Sequence, residues 1–151
     1  MPLVFRVSTR HSGARRFVRV TVYDTVEELR DAAHRYTRRL GTYQTGEFDQ
    51  AYGVTHSFQR ILIGADGEEQ IPEGPTAAHI RLCQGRLGTS VVAHEATHAA
   101  MAIYDQDCLK KLGSVHEDMD REEVLCYLVG DLSARIVNLL YKYGCYDDVE
   151  M

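Results

Sequence analysis

In the second half of the chain stands His94-Glu95-Ala96-Thr97-His98, an H-E-x-x-H sequence. On a helix, residues i and i+4 share one face about one turn apart, so both imidazoles can reach a single ion. Glu95 lies beside them, placed to address a water on that ion without being a ligand itself. Imidazole nitrogen suits Zn²⁺, and two neutral histidines plus one carboxylate leave a position open for water, which separates a catalytic site from a structural one. Zinc lowers the pKa of such a water toward ~7, and Glu95 is placed to take its proton and pass it to a leaving amine. The neighbours sharpen the reading. Val91, Val92, Ala93, Ala96, Ala99, Ala100, Met101, Ala102 and Ile103 make the run apolar almost all round. This predicts a buried helix, in which two histidines and a glutamate without partners are costly. The competing reading is a hydrogen-bonded pair of core histidines beside an exposed glutamate.

A zinc site of this kind needs a third protein ligand. The extended H-E-x-x-H-x-x-G-x-x-H pattern is not kept, because Met101 and Tyr104 stand at its glycine and last histidine positions. The expected source is Glu122-Glu123, with Glu123 lying 25 residues beyond His98 on the final helix. Antiparallel packing of the two helices would bring that first turn near the histidines. Glu123 is preferred because Cys126, Gly130 and Ala134 share its face and would let the helices approach. Glu122, above Leu125 and Val129, is the second choice and His116 the third. The plainer reading of these acids is a capping box from Asp120 to Glu123, complementing the helix dipole. An oxyanion stabiliser is also expected, with Tyr127, Tyr104 and His79 as candidates. Nothing in the sequence fixes their distance from the metal, and a structural role is the alternative for each.

The elements that must position these residues can be read from periodicity. Leu3, Phe5 and Val7 form one face of a first strand, and Val18, Val20 and Val22 one face of a second, joined through Ser12-Gly13-Ala14-Arg15 as a hairpin. Thr25-Val26-Glu27-Glu28 opens a helix that runs to about Leu40 before Gly41. Residues 46–64 read as strand-rich, residues 65–75 as turn and loop, and Ala78–Cys83 as one more strand. A helix from Val91 to about Tyr104 follows, then a last helix from near Asp118 or Asp120 to about Tyr143. The expected fold class is α+β, one domain over residues 1–151.

His94-Glu95-Ala96-Thr97-His98 followed by Glu122-Glu123-Val124-Leu125-Cys126-Tyr127 resembles the gluzincin pattern of zinc metallopeptidases, especially the short zincin-like proteins of bacteria and their phages. Glu122, Cys126 and Tyr127 stand where Asn, Ser/Ala and Asp are usual in that family. The resemblance spans roughly residues 78–131. It implies a mostly antiparallel sheet beside the metal-bearing helix, a glutamate from the following helix as third ligand, and Ala78–Cys83 as the strand along which an extended substrate lies.

Composition fits one globular domain: 151 residues, 44% hydrophobic and 26% charged. No run of ~18 unbroken apolar residues is present, so no membrane contact is expected. The start of the chain lacks the apolar stretch and cleavage site of a signal peptide. Four widely spaced cysteines without a C-x-x-C pair fit reduced thiols and a cytoplasmic setting, with Cys83 and Cys126 as core residues. The net charge of −5 hides an asymmetry. Residues 1–40 hold nine arginines (Arg6, Arg10, Arg15, Arg16, Arg19, Arg30, Arg35, Arg38, Arg39) against four acids. That basic quarter could contact an acidic partner or nucleic acid, against the plainer reading of arginines on solvent faces. The expected function is a zinc metallopeptidase acting on a peptide or protein substrate. The alternative is a non-catalytic, zinc-holding binding or regulatory protein.

Overall fold

Strands β1 (Leu3–Thr9) and β2 (Arg16–Tyr23) form the expected antiparallel hairpin, in register from Leu3 opposite Val22 to Thr9 opposite Arg16. The computed structural model describes residues 1–58, 62–63, 69–70, 75–109 and 117–147. The all-valine face of β2 is buried, as alternation requires. Helix α1 (Val26–Leu40) starts and stops where the sequence places it. Thr25 Oγ1 accepts from the Glu28 amide at 3.2 Å, and Gly41 ends the helix at φ 75°, a left-handed conformation that costs glycine little.

Of residues 46–64, only β3 (Val54–Ser57) and the two-residue β4 (Leu62–Ile63) are described as strand, the latter paired with β5 (Glu69–Gln70). Strand β6 (Thr76–Cys83) follows. The main sheet has the order β1-β2-β6-β3. It is mixed, with two of its three pairings antiparallel, because β6 runs parallel to β2 and antiparallel to β3. β6 therefore has both edges hydrogen-bonded, so the expectation that a substrate lies along Ala78–Cys83 is not met. Among the described residues the edge strands are β1 and β3, with β3 beside β6.

The two faces of the sheet carry different chemistry. Ala78, Ile80 and Leu82 join Val18, Val20 and Val22 in the main core, packed against α2 (Thr89–Tyr104) and α3 (Glu117–Lys142). The alternate residues His79, Arg81 and Cys83 face α1, where Leu29, Ala33, Val54 and Cys83 make a small second core. α2 lies over β6 and β3, and α3 over β1 and against α2. A π-helical turn, Asp105–Leu109, ends α2. It is pinned to the hairpin by buried Asp107, which accepts from Arg16 Nε (3.0 Å) and Nη2 (2.5 Å) and from Ser12 Oγ (2.5 Å).

α2 is not buried all round. Val92, Ala96, Ala99 and Ile103 face the core, while His94, His98 and Met101 lie on an exposed stripe. The outward stripe leaves both imidazoles of the H-E-x-x-H sequence accessible. α3 packs through Leu128, Leu132, Ile136 and Leu140, all fully buried. By length and composition its segment Glu122–Lys142 could cross a membrane, although no single unbroken apolar run marks it in the sequence. Here that stripe is core. Cys83 and Cys145 are buried, but Cys126, expected in the core, is exposed.

Candidate metal centre

His94 and His98 stand one turn apart on the exposed stripe of α2, with their Nε2 atoms 3.2 Å from each other and rings at 76°. Two nitrogens bound at 2.0–2.1 Å to one tetrahedral ion would lie about 3.3 Å apart. The pair thus fits a shared ion without rearrangement, and an Nε2–H···Nε2 hydrogen bond fits the same distance. The ligand atoms of His94, Glu95 and His98 all lie within 4.8 Å of one another. Among the described residues no further histidine, cysteine or carboxylate joins them.

Glu95 is only 3% exposed, on the flank of α2 that faces β3. Thr55 Oγ1 lies 3.2 Å from its carbonyl oxygen and 3.4 Å from its Oε1, sharing one proton between helix backbone and carboxylate. Burial pushes the Glu95 carboxyl above its usual range, partly offset by His94, His98 and the Thr55 hydroxyl. Gly53, just before β3, completes the close approach. A Cβ there would sit 2.9 Å from Glu95 Cγ and 3.2 Å from Cδ and Oε2. Gly53 does not need a positive φ, so Gly53→Ala meets a packing conflict only. We expect it to lower stability by about 1–3 kcal/mol, the usual cost of overpacking. Denaturant unfolding measures this, and unchanged stability would mean that Glu95 yields freely.

Beside the group opens a cleft of about 390 Å³, lined by Ala51, Tyr52, Gly53, Val91, His94 and Glu95. The Tyr52 ring, 42% exposed, has the guanidinium groups of Arg86 and Arg30 4.3 and 5.4 Å from its centre. Tyr52, Gly53 and Thr55 escape sequence reading, because they reach the group through the pairing of β3 with β6, Thr55 lying 40 residues before Glu95, and no local motif announces them.

The other expected site residues lie elsewhere. Tyr146 Oη donates to the Leu87 carbonyl at 2.8 Å, placing the C-terminal end of α3 beside the start of α2. The helices are antiparallel, and at 1.5 Å per residue Glu123 lies roughly 15 Å further along the pair than His98. Glu122 and Glu123 are both exposed and do not join the histidines. Cys126, Gly130 and Ala134, expected to seat α3 against α2, are exposed as well. The reason is physical: the leucine and isoleucine stripe buries far more apolar area than the small-residue face and wins the interface. His116 lies outside the described residues. Tyr127 is exposed and stacked on His11, with ring centroids 5.4 Å apart. Tyr104 packs against the main core, about 9 Å along the helix from His98. His79 faces α1 across the sheet, its Nε2 2.8 Å from Thr21 Oγ1. None of these three is brought into the group.

No protein-family model, curated protein or solved structure matches this chain.

Proposed function

We propose that the chain is a zinc-dependent hydrolase of peptide bonds, with His94 and His98 holding the ion and Glu95 serving as general base. The observation that carries this reading is the 3.2 Å separation of the two Nε2 atoms on an open helix face, with a buried carboxylate beside them. Bound there, zinc would supply an acidified water and polarise a carbonyl. Glu95, with its carboxyl raised by burial, is suited to accept a proton and to return it to a leaving amine. Thr55 and Gly53 hold that carboxylate in one place. Among the described residues β3 is paired with a strand on one side alone, which supports a peptide as substrate, because an extended chain adding on the other would pass the cleft of Tyr52 and His94. A third protein ligand remains part of the proposal.

The exposure of both histidines also favours a second reading, a metal-holding protein without catalysis. Elemental analysis of the purified protein tests the shared premise. About one zinc per chain is expected, lost in His94→Ala. Loss in Glu123→Ala as well would mean that α3 approaches the site in the metal-bound state. No zinc in the native chain and no uptake on addition would leave a hydrogen-bonded histidine pair. Activity then divides the two readings, through Glu95.

A further inference from the structure

On the opposite face of the sheet from the histidine pair, between α1 and β6, lies a cavity of about 190 Å³ lined by Tyr23, Ala32, Arg35, Tyr36, Arg39 and Arg81. Three arginines line it and, among the described residues, no carboxylate does. Arg81 is 6% exposed, and its Nε is buried with no hydrogen-bond partner among the described residues. Its Nη1 donates to His56 Nδ1 at 2.8 Å, and its guanidinium lies 5.0 Å from the centre of the Tyr36 ring. Both partners tolerate the charge, but neither is an anion. Burying an unneutralised guanidinium is expensive, so one held this way is poised for a counter-anion.

Arg35 and Arg39 stand one turn apart on α1, and among the described residues neither forms a salt bridge. Five of the seven other arginines of the first quarter are differently used. Arg16 pairs with Asp107, Arg6 and Arg15 lie over Phe17, Arg30 lies over Tyr52, and Arg38 lies over Tyr43. His79, beside Arg81 and Arg19 on the same face, is driven down to about 3 by burial first and by those two arginines next.

We propose that this cavity binds a small oxyanion of phosphate chemistry, held by Arg81 from the sheet and by Arg35 and Arg39 from α1. Guanidinium forks match tetrahedral oxyanions in charge and geometry, each able to donate two hydrogen bonds. The cavity falls below the ~300 Å³ at which pockets for whole drug-sized ligands begin. Its occupant is therefore a free phosphate or the phosphate end of a larger ester. The proposal does not rest on the metal reading, since the two sites lie on opposite faces of the sheet.

The test is calorimetric titration of the full chain with inorganic phosphate and, separately, with adenosine 5′-monophosphate, in chloride buffer at constant ionic strength. Saturable binding at one site is expected, and it persists in His94→Ala, which removes the metal site as an alternative target. The double variant Arg35→Ala/Arg39→Ala changes exposed positions and should fold; its affinity should fall by tenfold or more. Arg81→Gln should abolish binding while the circular-dichroism spectrum is retained. Tighter binding of the monoester marks the phosphate end of a larger ligand, and weaker binding marks the free ion; either upholds the site. Absence of saturable binding, its loss in His94→Ala, or equal affinity in the double variant overturns it.

Discussion

Glu95→Gln is expected to keep its zinc and lose hydrolysis by roughly 10²–10⁴-fold in kcat, the usual worth of a positioned general base. The amide has nearly the volume of the carboxylate and can still meet Thr55 Oγ1, so the fit against Gly53 is preserved. What disappears is the ability to take a proton. Zinc content and peptide hydrolysis of the same preparation check this. Full activity would remove Glu95 from the mechanism, and loss of zinc would make it a ligand. The substitution has a second consequence, in the metal-free protein. Because burial raises the Glu95 carboxyl in the folded state, its contribution to stability is complete below the unfolded value and is lost as pH rises through the folded one. Glu95→Gln removes that penalty, so the metal-free variant should be more stable than the parent at pH 7–8. Below about pH 4 both side chains are neutral and the gain should vanish.

The sequence discloses what is local. Thr25 as cap, Gly41 as stop and the valine face of β2 each follow from a few neighbouring residues, and the structure places them as read. His94 and His98 share a helix face for the same reason. What was not legible depends on which distant surface wins a contest for burial. α3 offers a large aliphatic stripe and a small-residue face, and only the assembled sheet shows that the first is covered while Cys126, Gly130 and Ala134 are left outside. The third-ligand expectation for Glu123 depended on that second face. The apolar character of α2 likewise overstated its burial, because alanines tolerate a half-exposed helix well. Strand order is also a global property. Nothing within Thr76–Cys83 reveals that β6 is central, or that the short β3 takes the edge beside Glu95.

The sheet thus divides two environments along one strand. Thr55 faces α2 and its proposed metal chemistry, while its neighbour His56 faces α1 and Arg81. A change of charge on the α1 face therefore acts first on the fold, and His79 is where it should be felt most strongly. Buried at 8% exposure and bonded to Thr21 Oγ1, it is held neutral with a pKa of about 3, by burial first, then by Arg81, Arg19 and His56. In the unfolded chain a histidine takes up its proton near pH 6.5. Between those values the unfolded state binds more protons, so stability rises with pH, by up to about 1.4 kcal/mol per unit. Stability from this group is fully present above about pH 6.5 and drains away as the pH falls toward 3. The accumulated loss reaches several kcal/mol, against a typical total of ~5–15 kcal/mol for a domain. Glu95 works in the opposite direction over part of this range, so wild-type unfolding alone mixes the two. The difference between wild type and His79→Gln isolates the histidine, since glutamine can still meet the Thr21 hydroxyl but does not titrate. Denaturant unfolding at intervals from pH 7.5 to 4 should show the variant gaining on the parent steadily below pH 6.5. Parallel curves would mean that His79 takes up its proton as readily in the folded protein as in the unfolded chain, so that neither burial nor the neighbouring arginines hold it neutral.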